Sequence, residues 1–453
     1  MTECNGLPLL FASAGRKKIM ADFAGGDLTS DGGLPLLREV DRKIGLIDAL
    51  NAAIADPRYP PLIRHEQRTL LAQRILAIAA GYEDLNDHQT LRTDPLLQAL
   101  TDRAPQAHQK PEDPLSSPPT LCRLENRIQR GDLVGMAQVL VEQFIASHPA
   151  PPEELVLDFD ATNDPVHGQQ DKRFFHGYYD EYCFLPLYVT CGQQLLVAYL
   201  RPANIDAAKH SRAFLKLLVE RFRQVWPNVR IIFRADSGFC RWRLLRWCDR
   251  HEVFYIVGLA KNDVLKRLAR WSMITARWEF RKTGQKQRRF EEFEYAAKTW
   301  DHRRRVIAKA EHAEGGQNPR FVVTNLPGGP QALYDDLYCQ RGDAENRIKE
   351  QQLGLFADRT SCHGFPANQF RVLLSAGAYV LVETLRRVGL AGTDLACAQV
   401  GTIRLKLLKI GGRVVRSVRR VVVHLAGGFP LQTIFRQVLR QLQQWRGTPA
   451  LAP

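Results

Sequence analysis

Three acidic residues lie where their carboxylates would converge after folding. Asp160 closes one apolar, strand-like run, Asp236 directly follows another, and Glu345 lies in a helical stretch. Carboxylates at the ends of two neighbouring strands, with a third on a packed helix, can hold two Mg²⁺ ions, and Mn²⁺ would substitute. Two such ions clamp the attacking and leaving oxygens of a phosphodiester. The pattern therefore predicts phosphoryl-transfer chemistry, with Asp160, Asp236 and Glu345 as catalytic residues and metal ligands.

Each acid also has a simpler interpretation. An Asp at a strand end often caps a turn, and Glu345 could only pair with Arg341 or Lys349 on its own helix. Asp158 competes with Asp160, because alternate residues of a strand share a face. We favour Asp160, which stands at the carboxyl end of the strand, where ligands gather.

The charge of the chain favours a nucleic-acid partner. Lys and Arg number 63 against 48 Asp and Glu, which gives a net charge of +15. Residues 261–310 hold 15 basic and 6 acidic residues, and residues 401–453 carry ten basic residues and no acid. Such an excess typically neutralises phosphates, although a solvated basic surface is the alternative.

Other classes of protein are disfavoured. The nine cysteines show no CxxC spacing, which is typical of reduced thiols rather than a disulfide framework. The apolar run at residues 9–12 is too short for a signal peptide, and no apolar stretch approaches the roughly 20 residues that span a bilayer. We expect a cytoplasmic, nucleoid-associated protein without a membrane partner.

The pattern of elements predicts an α/β fold. From residue 154 the apolar runs and amphipathic stretches follow the order β-β-β-α-β-α-β, in which hairpins come first and parallel crossovers afterwards. This is the arrangement of an RNase H-like mixed sheet. The predicted regions are a mostly helical, DNA-binding N-terminal region (1–119), a linking helix (120–153), a catalytic core (154–261 and 319–360), a β-rich insertion (262–318) and a C-terminal helical and basic hairpin region (361–453).

The C-terminal extension is predicted to be a DNA-binding arm. We expect a hairpin of 403–410 with 414–425 around a Gly-Gly turn, because the apolar residues of the first run alternate with basic ones. The residues expected to meet phosphates are Arg404, Lys406, Arg416 and Arg419.

The ordered motifs resemble those of the DDE transposases of bacterial insertion sequences, most of all the group named insertion sequence thirteen-eighty. The signature of that branch is Tyr, two residues, Arg, three residues, Glu, six residues, Lys. Tyr338, Arg341 and Glu345 match it, whereas Gln352 stands at the Lys position and the nearest lysine is Lys349. Asp160-Ala161-Thr162 resembles the Asp-x-Thr of the family, and Asp236-Ser237-Gly238-Phe239 resembles its Asp-x-Gly-Phe.

The resemblance implies a transposase that uses two Mg²⁺ ions. It would cut at terminal inverted repeats and join the freed 3′-OH ends to target DNA, acting on double-stranded DNA as a homodimer in a paired-end complex. Tyr338, Arg341 and Lys349 would contact DNA near the scissile phosphate. Two alternatives remain open: an RNase H-like DNA nuclease that does not join strands, and a domesticated DNA-binding protein without activity.

Overall fold

The computed structural model describes residues 9–101, 113–417 and 419–447. These residues divide into two compact units, one formed by residues 9–101, 113–127 and 377–447 and the other by residues 128–376. Most described residues of the predicted N-terminal region and residues 377–447 of the predicted C-terminal region therefore belong to one unit. No helix in the described residues is long and apolar enough to cross a membrane.

The first unit is mainly helical. Its buried centre is α3, whose Leu70, Leu71, Ile75 and Leu76 are all almost fully enclosed. The short strand β3 pairs with β16, so the two ends of the chain share a three-stranded sheet. The elements are β1 Leu9–Ala14, β2 Lys17–Ala21, β3 Leu28–Thr29, α1 Pro35–Ile44, α2 Leu46–Ala52, α3 Gln67–Ala80, α4 His88–Leu91, α5 Pro95–Leu100, α6 Pro118–Arg127, α15 Val400–Ile403, β16 Gly412–Ser417, β17 Arg420–Leu425 and α16 Gln432–Gln444.

The second unit is built on a large mixed sheet. Its elements are α7 Arg130–Ala146, β4 Glu154–Ala161, β5 Asp164–Pro165, β6 Phe174–His176, β7 Glu181–Phe184, β8 Leu187–Cys191, β9 Gln194–Tyr199, α8 Ser211–Val225, β10 Arg230–Ala235, α9 Trp242–Arg250, β11 Phe254–Leu259, α10 Asp263–Leu268, α11 Arg270–Thr283, β12 Gln287–Tyr295, β13 Arg304–Ala313, β14 Gly316–Gln317, β15 Arg320–Thr324, α12 Pro330–Ala332 and α13 Gly342–Lys349. A further helix, α14 Phe365–Thr384, begins in the second unit, and from Gly377 onward its residues belong to the first unit.

The strand order is β12-β13-β15-β11-β10-β4-β8-β9. Strands β4, β10 and β11 run parallel, and β8 and β9 form the antiparallel hairpin beside β4. These directions agree with the predicted hairpins and crossovers. The central strands β4, β10 and β11 are mostly apolar, as is typical of parallel strands that are packed on both faces.

The two faces of the sheet have different neighbours. Leu157 and Phe233 belong to a core that includes residues of α8 and α9. Ile232 and Ile256 point the other way and pack against Tyr334, at the start of the helical segment that carries Glu345. Since alternate residues of a strand share a face, Asp158, Asp160 and Arg234 point toward that helical segment.

The prediction of a β-rich insertion over 262–318 is wrong in its first half. Residues 263–283 form the helices α10 and α11, and only the later residues form strands. Trp271 and Trp278 stand seven residues apart, which is two helical turns, a spacing that sequence reading missed. Strands β12 and β13 lengthen the central sheet at its edge instead of forming a separate layer.

The predicted C-terminal hairpin is displaced. Residues 400–408 are helical, and the hairpin consists of β16 and β17. Ile403 and Leu407 are buried whereas Leu405 is exposed, so the apolar contacts follow the four-residue spacing of a helix and not alternation. The predicted linking helix is likewise two helices, because α6 ends at Arg127 and α7 begins at Arg130.

Candidate catalytic site

Two of the predicted acids lie side by side at the edge of the sheet. Strands β4 and β10 are parallel, and Phe159 is paired with Ala235. The residues that follow these two, Asp160 and Asp236, are therefore also neighbours. Burial raises the pKa of Asp160 to about 6, Arg341 works against this shift, and the charges of Asp236 and Glu345 add to it. The site therefore concentrates negative charge in a partly enclosed place.

Both carboxylates are oriented by the backbone that follows them. Asp160 Oδ1 accepts a hydrogen bond from the Ala161 N–H at 2.8 Å. Asp236 Oδ1 accepts one from the Gly238 N–H at 2.9 Å, and Asp236 so caps the short turn Ser237–Phe239. Turn capping, the simpler interpretation of Asp236, is thus present, and it leaves the Oδ2 atom of this carboxylate for other contacts.

Glu345 is connected to Asp160 through Arg341. The Arg341 guanidinium donates from Nη1 to Asp160 Oδ2 at 3.1 Å and from Nη2 to Glu345 Oε1 at 2.6 Å. Its pKa is raised against the effect of burial by the charges of Asp160 and Glu345. The structure therefore brings the third acid to the same cluster, with a cation between two of the carboxylates.

The helical segment that carries Glu345 is irregular. Only Gly342–Lys349 is a regular α-helix of more than one turn. Wide π-type turns lie at Leu333–Tyr338 and Glu350–Gly354, and a tight 3₁₀ turn lies at Cys339–Arg341. Departures of this kind inside helices are frequent at functional sites. Here they flank the residues that contact the strand carboxylates.

Asp158, the competitor of Asp160, is engaged elsewhere. Its two oxygens accept from Arg234 Nε at 2.5 Å and Nη2 at 2.7 Å, and both side chains are buried. Arg234 Nη1 also donates to the Leu337 carbonyl at 2.5 Å, which ties strand β10 to the Glu345 segment. Sequence reasoning missed Arg234, although it stands two residues before Asp236 in a run of apolar residues.

Tyr338 lies against the second acid. A Cβ atom at Gly258, on β11, would come within 2.7 Å of both the Tyr338 hydroxyl and the Ser237 nitrogen. Burial raises the pKa of Tyr338, Arg341 opposes the shift, and the Asp236 charge adds to it. Gly258 therefore allows Tyr338 to approach the turn after Asp236, a requirement that the sequence did not reveal.

Gln352, which stands at the lysine position of the family signature, and Lys349, the nearest lysine, have different surroundings. Gln352, at the Lys position, donates from Nε2 to the Asn163 carbonyl at 2.9 Å and so holds the segment to the loop after β4. Lys349 is exposed, one turn beyond Glu345, and within the described part of the chain it has no hydrogen bond or ion pair.

The donor set suits Mg²⁺, although the side chains are not gathered around one point. In residues 9–101, 113–417 and 419–447, no three Asp, Glu, His or Cys side chains are close enough to hold an ion together. Carboxylate oxygens are nevertheless the ligands that Mg²⁺ prefers. Burial raises the pKa of Asp160, and the charges of Asp236 and Glu345 add to the shift, so a divalent cation at this carboxylate would offset part of the cost of ionising it.

The four basic residues predicted in the C-terminal region differ in their surroundings. Arg404 donates to the Ala79 and Ile78 carbonyls at the end of α3, and Arg416 donates to Gln98 and Asp27. Both therefore stabilise the first unit. Lys406 and Arg419 are exposed. All four belong to the first unit, whereas the acids belong to the second.

The three tryptophans of 262–318 also differ. Trp271 and Trp278 are 75% and 55% exposed on α11, and Lys282 lies over the Trp278 ring at 3.4 Å. Trp300 packs against the core and its ring lies 5.6 Å from that of Tyr295. Two of the three are thus available to a partner.

Comparison with known proteins identifies the family of the chain. The model of the Transposase DDE domain group 1 family matches residues 11–447. A solved structure of piggyBac transposase, in a synaptic complex with hairpin DNA, covers 93% of this chain and 83% of its own, at 9% identity and a TM-score of 0.44. No curated protein gives a significant match.

A large mixed sheet with adjoining strand-end carboxylates and a third acid on a helix is the arrangement of a DDE-type transposase. Since the family model extends over nearly the whole sequence, the chain belongs to the Transposase DDE domain group 1 family.

Proposed function

We propose that this transposase cuts DNA at the terminal inverted repeats of its own element and joins the freed 3′-OH ends to target DNA. The observation that carries the proposal is the cluster in which Asp160 adjoins Asp236 and Arg341 connects Asp160 to Glu345. The family signature on Tyr338, Arg341 and Glu345 supports an origin in the insertion sequence thirteen-eighty group.

In this proposal Asp160, Asp236 and Glu345 hold two Mg²⁺ ions, with Mn²⁺ as a substitute. When bound, the ions supply Lewis-acid stabilisation of the attacking and leaving oxygens of the phosphodiester. The side chains of the site have separate tasks. The Ala161 and Gly238 N–H groups fix the two Asp carboxylates, and Arg234 fixes the position of the Glu345 segment through Leu337.

Arg341 and Lys349 are proposed to bind the phosphates that flank the cut. A guanidinium presents several N–H donors in a planar fork that matches phosphate oxygens, and Lys349 adds an exposed cation one helical turn beyond Glu345. Tyr338, beside the Asp236 turn, is proposed to contact the same strand. Lys406 and Arg419 are proposed to bind DNA in the first unit, and a homodimer is proposed to pair two ends.

The test compares cleavage and strand joining by variants of the acids. Asp160→Ala, Asp236→Ala and Glu345→Ala are expected to abolish both reactions while binding to end DNA remains, because affinity comes mainly from phosphate contacts. The matched control is Asp336→Ala, an exposed acid of the same helical segment. The end DNA used in the assay is taken from the DNA that flanks the gene, where inverted repeats next to short direct duplications would mark the ends of the element.

The other possible results of this test would each indicate a different function or a different catalytic residue. Cleavage without joining of pre-cut ends would indicate an RNase H-like nuclease. Binding without metal-dependent cleavage would indicate a domesticated DNA-binding protein. Activity in Asp160→Ala together with its loss in Asp158→Ala would overturn the assignment of the first acid.

A further inference from the structure

A short hairpin beside the acids displays aromatic rings to solvent. We call residues 174–184, which contain β6 and β7, the aromatic hairpin. Phe175 pairs with Tyr182 across the two strands, with ring centroids 5.7 Å apart. Every exposed large hydrophobic side chain of residues 164–184 is aromatic: Phe174 at 38%, Phe175 at 52%, Tyr178 at 85% and Tyr182 at 49%.

The tip of the aromatic hairpin lies next to the catalytic carboxylates. Tyr179 and Ala161, the residue after Asp160, pack against the same small buried cluster of Cys183, Leu185 and Ala203. Burial raises the pKa of Tyr179, and the charges of Asp160 and Asp236 raise it further, so this ring lies within electrostatic range of both acids. The ring of Tyr178 lies 5.0 Å from that of Tyr179, nearly perpendicular to it. Tyr179 is thus fixed against the site while Tyr178 projects from it.

The composition of the aromatic hairpin favours a base over the phosphate backbone. Its tip carries Asp180 and Glu181, whose charges disfavour phosphates. An unpaired base is neutral and has a π-face that an aromatic ring can cover. Exposed aliphatic side chains, which would suit a protein partner, are absent from the described residues 164–184. A guanidinium already covers one ring, since Arg173 lies 4.5 Å from the centre of Tyr182.

We propose that Tyr178 stacks on an unpaired base of the DNA end whose scissile phosphate lies at Asp160 and Asp236. Phe175 extends the stacking surface along the aromatic hairpin, beside the Tyr182 ring that Arg173 covers. This inference rests on the proposed function, because it needs a DNA end at the acids. It adds that the protein holds the end in a locally melted form, with stacking on Tyr178 offsetting part of the cost of opening the base pair.

The test uses two duplexes of the terminal repeat without metal. In one the terminal base pair is mismatched and contains 2-aminopurine, and in the other it is fully paired. We expect the wild-type protein to bind the mismatched duplex more tightly and to quench its 2-aminopurine fluorescence. Tyr178→Ala should weaken binding to the mismatched duplex roughly 5- to 150-fold, the range typical for loss of one stacked base. Binding to the paired duplex should change far less.

Two variants serve as controls. Tyr178→Phe keeps the ring and should retain the preference for the mismatched duplex. Tyr59→Ala removes a tyrosine of the other unit that is 68% exposed and should leave that preference intact. Equal binding of the two duplexes by the wild type, or unchanged quenching in Tyr178→Ala, would overturn the proposal. So would a change of oligomeric state in Tyr178→Ala, measured by sedimentation, because it would make the hairpin a protein interface. Failure of the proposed function shows separately, as absence of metal-dependent cleavage by a wild type that still quenches 2-aminopurine.

Discussion

Replacing Asp160 by Asn should stabilise the metal-free protein while abolishing its reaction. The Asp160 side chain is only 15% exposed. Its burial, together with the charges of Asp236 and Glu345, outweighs the opposing charge of Arg341, so its pKa rises from the usual 3.8 to about 6. That rise corresponds to about 3 kcal/mol by which ionised Asp160 lowers the free energy of unfolding, at about 1.4 kcal/mol per pH unit. Asn keeps the shape of the side chain and removes the charge.

The pH dependence has a defined sign. Because folding raises this pKa, the folded chain holds a proton that the unfolded chain releases, and between pH 3.8 and about 6 the stability falls as the pH rises. Above about pH 6 the full cost is present. The advantage of Asp160→Asn should therefore be greatest at neutral and alkaline pH, with an increase in Tm of roughly 3–6 °C, and should vanish near pH 4.

The assay is thermal unfolding of both proteins in EDTA across this pH range, repeated with Mg²⁺. Added Mg²⁺ should raise the Tm of the wild type more than that of Asp160→Asn, since a ligand of the folded state stabilises in proportion to its binding. The matched variant Asp158→Asn should instead destabilise, by up to about 3–5 kcal/mol, because it removes the bidentate counter-ion of buried Arg234 and leaves that residue one acceptor at this position. A metal-free Asp160→Asn protein less stable than the wild type at alkaline pH would refute the reasoning.

Three further predictions concern other parts of the chain. Gly258→Ala should lower both the Tm and DNA cleavage, because the new Cβ would meet Ser237 and Tyr338 at 2.7 Å, whereas Gly315→Ala, with nothing within 4 Å, should change neither. Lys406, Arg413, Arg419 and Arg420 are exposed. Replacing all four together should flatten the slope of the logarithm of the DNA-binding constant against the logarithm of the salt concentration by up to about 3–4 units, at about 0.9 per phosphate contact. An unchanged slope in a folded variant would show that DNA binds to another part of the protein. Trp271→Ala and Trp278→Ala should weaken DNA binding, measured by filter binding, at an unchanged Tm. Trp300→Ala should lower the Tm, measured by thermal unfolding. If all three variants only unfold the protein, the exposed rings have no role in binding.

The strands of the core were predictable because most of their residues are apolar and because polar residues follow each strand in the sequence. The run before Asp236 and the run ending at Asp160 became β10 and β4, and their parallel pairing placed the two acids together. The C-terminal segment misled because Ile403, Leu405 and Leu407 fit alternation as well as a helix. Only packing decided between the two, by leaving Leu405 exposed.

The details of the site were beyond the sequence for a related reason. The Asp158–Arg234 pair, the approach of Tyr338 to Gly258 and the position of Arg341 between two acids all join residues that are far apart in the chain. Local patterns encode helices and strands, but they do not encode which distant side chains meet. The Tyr-Arg-Glu spacing on one helix was accessible because all three residues lie within eight positions.

The contact between Arg341 and Asp160 spans 181 residues, and this separation governs when the protein can first act. A ribosome adding about 5–20 residues per second needs roughly 10–40 s to travel from the first acid to the helix that carries the third. During that interval the nascent chain already contains Asp160 and then Asp236 but lacks Glu345. Under the proposed function, unfinished chains and truncated polypeptides that lack Glu345 are therefore expected not to cut the DNA around them.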